Sequence, residues 1–227
     1  DGINKAARKA LDSAYKASKH SIFSFNKDVR PKSQGSYHTP LELPFDSLSV
    51  GEINDILMKA NDWLNIDNRI ISVTAMAMLV ETTINYACSN GSNINQRMNI
   101  VGSDYSATAK NGDVIQTRSD GRSGNQMGLE RFNQDLVKER CDKVSSQVIE
   151  LVEAEECPTG TMSLVLAPDQ MMLQIHESIG HALEIDRILG DERNYAGWSF
   201  VRLDDFGTLK YGSDIMNITF NPTIGKE

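Results

Sequence analysis

The sequence predicts an α+β protein: N-terminal helices plus an antiparallel meander, followed by the start of a mixed α/β second domain. Two changes of pattern support this prediction. Apolar residues recur at helical spacing in residues 1–20, 49–64 and 129–155, whereas residues 69–120 are rich in Val, Ile and Thr, as strands are. A short apolar run at 162–167 then precedes another helical pattern.

Composition and charge exclude several function classes. The 227 residues are 40% hydrophobic, which is enough for one or two cores and is not typical of a disordered chain. A net charge of -8 would repel phosphate backbones, so we expect no nucleic-acid partner. No apolar run approaches the length of a membrane span and no leader pattern is visible, so we expect neither membrane insertion nor secretion.

The cysteines and the chain ends lead to two further expectations. Three cysteines, an odd number at wide spacings, argue against a disulfide framework and favour a reducing, cytoplasmic location. The chain opens on Asp1 without an initiator Met and stops at "NPTIGKE", so we expect a fragment of a longer protein.

The first element is a helix with a basic face. Lys and Arg side chains cover one side of residues 1–20, and we interpret them as a solvated face because no aromatic residues interleave with them. Residues 26–46 then contain three prolines and a glycine among polar residues, a composition that predicts a flexible linker.

A second helix and a meander follow. Ser49 and Glu52 have the spacing of a capping box at the start of an apolar helical stripe. Asn-Gly pairs at 90–91 and 111–112 interrupt the β-rich segment 69–120, which predicts an antiparallel meander with turns at these pairs.

The second half of the chain begins with a third helix at 129–155, where Cys141 lies on the apolar stripe and is predicted to be a core residue. Residues 162–167, "MSLVLA", are apolar on both faces and predict a short buried strand. Asp169 is the expected N-cap of the next helix. We therefore divide the chain into a domain of residues 1–156 and a second domain of residues 157–227.

The chemically informative motif lies on that last helix. "QIHESIGHALEID" holds His176, Glu177 and His181, in a chain with only four histidines. On a regular helix the two histidine side chains would point about 140° apart, too far to share one ion easily. We therefore expect the helix to widen or break, and Gly180 is where a backbone distortion costs least.

These residue types suit a metal site. Neutral imidazoles bind Zn²⁺ without compensating charge, so that the metal stays a strong Lewis acid and lowers the pKa of a bound water towards about 7. Glu177 would take that proton and pass it to a leaving amine. A catalytic zinc needs three protein ligands, and the motif supplies two. The alternative is that His176 and His181 merely cap the helix or pair with neighbouring groups.

Residues 157–223 resemble the core of the TldD/PmbA family, also described as candidate modulators of DNA gyrase. The resemblance is carried by "GTMSLVLAP" at 160–168, "HESIGHALEID" at 176–186 and "YAGWSFVRLDDFGTLKYGS" at 195–213. Upstream, "YACSNGSNINQ" and "SATAKNGDVIQTRSDGR" are similar to the family's N-terminal domain. The HExxxH motif indicates the TldD-like branch, which bears the metal, and not the TldE/PmbA-like branch.

The resemblance implies a zinc-dependent peptidase for small or unfolded peptides, with a mixed α/β catalytic domain that begins at residue 157. It implies His176 and His181 as metal ligands, Glu177 as the catalytic acid/base, and a TldE/PmbA-like partner or a homodimer. The family's third ligand is a cysteine far downstream, which we expect outside this chain, because none of its three cysteines matches that position: Cys88, Cys141 and Cys157.

Three questions stay open at this level. The chain could instead be a non-catalytic interaction or regulatory module, related to the gyrase-modulator description, with an incomplete metal site. Glu184 and Asp186 could orient the histidines, supply a substitute third ligand, or simply be solvated or capping carboxylates. Trp198 could line a peptide groove or hold its own loop in place.

Overall fold

The computed structural model of the chain describes residues 1–20, 31–121 and 123–223. Within them the chain forms two compact units, residues 1–154 and residues 155–223. Helices and a mixed sheet are both present, so the predicted α+β class is confirmed.

The first unit contains three helices, α1 (Gly2–Ser18), α2 (Val50–Leu64) and α3 (Gln134–Glu153). The side chains of α1 are all exposed, including Ile3 and Leu11 of its apolar stripe. Helix α2 begins at the predicted capping box, in which the Ser49 hydroxyl accepts from the Glu52 amide at 3.2 Å and the Glu52 carboxylate accepts from the Ser49 amide at 2.8 Å. The capping-box prediction is confirmed.

The sheet is built around one long central strand. Its strands are β1 (Gln34–His38), β2 (Ile70–Ala87), β3 (Asn93–Asn111), β4 (Val114–Ser119) and β5 (Ser123–Asn125). Strands β2, β3 and β4 pair antiparallel in chain order, which confirms the meander. The turns lie at the two predicted Asn-Gly pairs, where Gly91 and Gly112 take positive φ angles of 90° and 60°.

The linker prediction for residues 26–46 needs a correction. Residues 26–30 lie outside the described part of the chain, but Gln34–His38 form β1, which pairs in parallel with the first residues of β3. The hydroxyl of Tyr37 also accepts a hydrogen bond from Gln126 at 2.5 Å. Composition could not reveal this strand, because its pairing partner lies about sixty residues further along the chain.

The core of this unit lies where α2 and α3 pack on the sheet. The largest of its side chains with less than 2% exposure are Tyr105, Leu64, Leu129, Val137, Val144, Val148, Cys141 and Ser145. Burying one large apolar side chain contributes about 1.5–3 kcal/mol. Cys141 is a core residue as predicted, and burial raises the pKa of its thiol to about 12.

The second unit contains short helices and little regular structure. Helix α4 (Pro168–Ile175) leads into a π-helical turn, His176–Gly180, then a 3₁₀ turn, His181–Leu183, and helix α5 (Ile185–Leu189). None of the described helices of either unit is long and apolar enough to cross a membrane.

Two predictions for this unit are wrong. Residues 162–167 form no strand and are exposed, with Val165 at 95%, because none of the described residues of this unit forms a strand that could pair with them. Helix α4 is capped by Ala167 and not by Asp169, since Pro168 occupies the first helical position, where its missing amide hydrogen costs nothing. Asp169 lies in the first turn, where its charge suits the helix dipole.

Candidate metal centre

The candidate site forms where the helix that follows Pro168 widens. The amide of His181 donates to the carbonyl of His176, five residues earlier, so the turn holds one residue more than an α-helical turn. Gly180 itself has ordinary right-handed angles, φ -54° and ψ -61°. The widening that the five-residue histidine spacing predicts is therefore present, and it needs no unusual glycine conformation.

The widened turn brings the two imidazoles together. The ring centroids of His176 and His181 are 4.4 Å apart, with their planes at 74°. One carboxylate oxygen of Glu177 lies 3.9 Å from Nε2 of His176, and the other lies 3.8 Å from Nε2 of His181. Among the described residues these three form the one cluster of His, Cys, Asp or Glu side chains with the geometry of a metal site.

The donor set can be compared with what a metal needs. The potential ligand atoms of the cluster lie within 4.8 Å of one another. Ligands of a tetrahedral zinc lie about 3.3 Å apart when each bond is about 2.0–2.1 Å. Small side-chain rotations close that difference, and the histidine and glutamate side chains have room to rotate because His176 and Glu177 are about 60% exposed. The residues therefore fit a divalent metal, with two imidazoles as ligands.

A second group of side chains contacts the Nδ1 atom of His181. Nδ1 of His181 lies 2.8 Å from Oε1 of Glu184, and the other oxygen of Glu184 accepts a hydrogen bond from Nε of Arg187. The hydrogen bond with His181, assisted by the Arg187 guanidinium, holds the pKa of the Glu184 carboxyl below its usual value. Glu184 thus stays ionised in its contact with His181 at neutral pH.

The other candidate residues lie apart from this cluster. The Asp186 carboxylate accepts from the Arg187 amide at 2.9 Å, so it caps a local turn. Trp198 is 65% exposed, and the Cζ atom of Arg193 lies over its ring, 4.4 Å from the ring centroid. None of the three cysteines forms a disulfide within the described residues and none joins the histidines: Cys88 is half-buried, Cys141 buried and Cys157 exposed.

Sequence reasoning did not identify two residues that hold the site. Arg187 forms an ion pair with Glu184. The two residues are three positions apart on a helical segment, and this spacing could have predicted the pair. The hydroxyl of Tyr211 donates to the carbonyl of Ser178 within the π-helical turn. No local pattern could predict the second contact, because it joins residues 33 positions apart.

Comparisons with known proteins identify a curated relative and a solved structure. The chain is similar to a protein described as "Metalloprotease" from Methanothermobacter thermautotrophicus, with 26% identity over 186 residues that cover 75% of this chain and 40% of the relative. The chain thus spans about 40% of the length of the curated relative that it matches. A solved structure from Thermotoga maritima, described as a candidate modulator of a DNA gyrase, is 20% identical with a TM-score of 0.43, covering 62% of this chain and 30% of that one.

A family model supplies the remaining comparison. The model of the PmbA/TldA metallopeptidase central domain matches residues 43–154, the segment that contains α2, the strands β2 to β5 and α3. The metalloprotease relative points in the same direction. Residues 43–154 are thus similar to the metallopeptidase central domain of the PmbA/TldD family, in agreement with the resemblance noted in the sequence.

Proposed function

We propose that the chain is part of a zinc-dependent peptidase of the TldD type, which hydrolyses small or unfolded peptides. His176 and His181 would hold the metal, and Glu177 would be the catalytic acid/base. The observation that carries the proposal is the π-helical turn, which brings both imidazoles and the carboxylate into one cluster. A metallopeptidase-family domain in the same chain supports it.

Each side chain has a defined part in this chemistry. When bound, zinc would supply a Lewis acid beside the scissile carbonyl. Glu177 is exposed and lies within 4 Å of both imidazoles, so its carboxylate can take a proton from an attacking water and deliver it to the leaving amine. The imidazoles must be neutral to act as ligands, which makes the activity dependent on pH.

The ligand set needs a third protein group, since catalytic zinc sites usually have three. The described residues place no further His or Cys beside the pair. We therefore place the third ligand, a cysteine by the family resemblance, outside these 227 residues, which span about 40% of the length of the metalloprotease relative.

We extend the proposal to a partner subunit, either TldE/PmbA-like or a second copy, and to a cytoplasmic location. Large apolar side chains of residues 155–223 are exposed in numbers that support a further contact surface, among them Val165, Tyr195, Ile215 and Phe220 at 90% or more. Three cysteines without a disulfide among the described residues fit a reducing compartment. Size measurement of the purified protein by light scattering tests the association.

Zinc binding and peptide hydrolysis by the full-length natural protein test the proposal. We expect His176→Ala and His181→Ala to lose the zinc, whereas Glu177→Gln keeps it and loses hydrolysis of an unstructured peptide. His20→Ala, a change at an exposed histidine of the first unit, is the matched control and should keep both properties. Wild-type protein that binds zinc no better than the double histidine variant would overturn the proposal and favour the non-catalytic interaction module.

A further inference from the structure

The contact between His181 and Glu184 defines which ring nitrogen carries the proton. An ionised carboxylate only accepts hydrogen bonds, so the 2.8 Å contact requires a proton on Nδ1 of His181. In the neutral imidazole Nε2 is then unprotonated, and it is the nitrogen that lies 3.8 Å from Glu177 within the cluster. This tautomer presents a lone pair to a metal.

Arg187 determines how Glu184 is held. Its Nε donates to Glu184 and its Nη1 donates to the carbonyl of Ala196 at 2.9 Å, and its side chain is only 20% exposed. Nη2 of Arg187 also lies 3.3 Å from Nδ1 of His181. A guanidinium can only donate hydrogen bonds. The longer contact from Arg187 would therefore need an unprotonated Nδ1 of His181, and it competes with the contact between Nδ1 and Glu184. The shorter distance and the negative charge favour Glu184 as the partner of His181.

The loop after α5 is tied into the same network. Ser199 donates through its hydroxyl to the carbonyl of Ala182 at 2.6 Å, and its amide donates to the carbonyl of Arg187 at 3.3 Å. Ser199 therefore links the 3₁₀ turn that contains His181 to the helix that contains Arg187. A Glu-Arg pair that is still partly open to solvent contributes little to stability by itself, so the consequence of this network lies at the histidine.

We propose that Glu184 and Arg187 are positioning residues that hold His181 in the Nδ1-protonated tautomer and aim its Nε2 at the metal position. The proposal deepens the proposed function and rests on it for the role of the metal. Its statement about the tautomer concerns the metal-free protein and can be tested alone. Carboxylates that accept from a ligand histidine orient the ring and raise its basicity, and their loss typically weakens metal binding about 10- to 100-fold.

The first readout is ¹⁵N NMR of the metal-free chain labelled at histidine. Four histidines are present, and His181→Ala assigns the signals of His181. We expect wild-type His181 to be protonated at Nδ1, Glu184→Gln to keep this tautomer because its amide oxygen still accepts, and Glu184→Ala to lose it. Arg187→Met should give a mixture of the two tautomers. A wild-type signal protonated at Nε2 would overturn the proposal.

The second readout is the zinc affinity of the full-length natural protein, measured in competition with a chromophoric chelator. We expect Glu184→Ala to bind zinc about 10- to 100-fold more weakly, and Glu184→Gln to bind it more tightly than Glu184→Ala does. Glu192→Gln in the same unit is the matched control and should match wild type. Equal tautomer populations and equal affinities in Glu184→Ala and Glu192→Gln would overturn the proposal.

The two readouts separate the failure of this inference from that of the metal site. If the full-length wild-type protein binds no zinc but His181 shows the Nδ1-protonated tautomer and Glu184→Ala loses it, the metal assignment falls and the positioning of His181 by Glu184 is supported. If zinc binds normally in every Glu184 variant, the metal site stands and the positioning role is wrong. Far-UV circular dichroism checks that each variant keeps its helices.

Discussion

The carbonyl oxygen of Leu43 lies so close to Gly128 that a Cβ atom built there would be 2.0 Å from it. This close approach has a structural reason, because the same carbonyl accepts a hydrogen bond from the amide of Leu129 at 2.7 Å. Leu129 is buried in the core at 1% exposure. The segment before α2 is thus held directly against the segment before α3, and only glycine allows that distance.

We predict that Gly128→Ala destabilises the first unit by about 1–3 kcal/mol, since backbone must move to accommodate the added methyl group. The φ angle of Gly128, -91°, suits alanine, so the cost arises from space and not from conformation. Urea unfolding followed by circular dichroism measures the change. Gly124→Ala is the control, because a Cβ there meets only Ile100, at 3.9 Å. Equal stabilities of the two variants would contradict the prediction.

The capping box of α2 leads to a second prediction. Ser49→Ala removes the hydroxyl that accepts from the Glu52 amide, and we expect a loss of about 1 kcal/mol in the free energy of unfolding. Ser49→Thr should keep most of the stability, because its hydroxyl can take the same role. Chemical denaturation of the three proteins side by side tests this, and a Thr variant as unstable as the Ala variant would argue against a capping role.

The ion pairs of Arg69 predict a pH dependence. The Arg69 side chain donates to both oxygens of Asp67 and to Glu153 at the end of α3, and its hydrogen bonds lower the pKa of Asp67 from 3.8 to about 2. A carboxyl group whose pKa is lowered in the folded state stabilises that state at any pH above the group's ordinary pKa. The stabilisation is lost as the pH falls through the lowered pKa of the folded state.

We therefore expect Asp67→Asn to be less stable than wild type above about pH 4, with the difference shrinking as the pH falls towards about 2. Denaturation midpoints measured from pH 2 to 7 show the trend. Asp113→Asn, in the turn between β3 and β4, is a matched control. A difference between Asp67→Asn and wild type that stays constant with pH would mean that the carboxylate charge is not what matters.

The π-helical turn allows a test of the role of Gly180. Its helical angles and the open space around it, where a Cβ would come no closer than 4.0 Å to the Ile175 carbonyl, mean that alanine fits. We predict that Gly180→Ala leaves zinc affinity unchanged and stabilises the turn by about 0.5–1 kcal/mol. Zinc titration and thermal unfolding measure the two quantities. Loss of zinc binding would show that the turn must be free to distort when the metal enters.

Local chemistry explains which features could be predicted from the sequence alone. The capping box at Ser49, the turns at Gly91 and Gly112, and the core position of Cys141 depend on residues within one turn or one helix stripe. The need for a widened helix between His176 and His181 follows from the geometry of a five-residue spacing. Each of these features is decided over a few residues, so no distant part of the chain was needed to predict it.

Only the tertiary structure decided the rest. Strand β1 exists because β3 offers it an edge, and the apolar run at 162–167 remains unpaired because the described residues of its unit supply no neighbouring strand. Likewise the hydrogen bond from the Tyr211 hydroxyl to the Ser178 carbonyl of the π-helical turn depends on where the polypeptide returns after α5. Strand pairing and side-chain contacts between distant segments leave no pattern in the local sequence. Their free energy depends on packing that exists only in the folded chain.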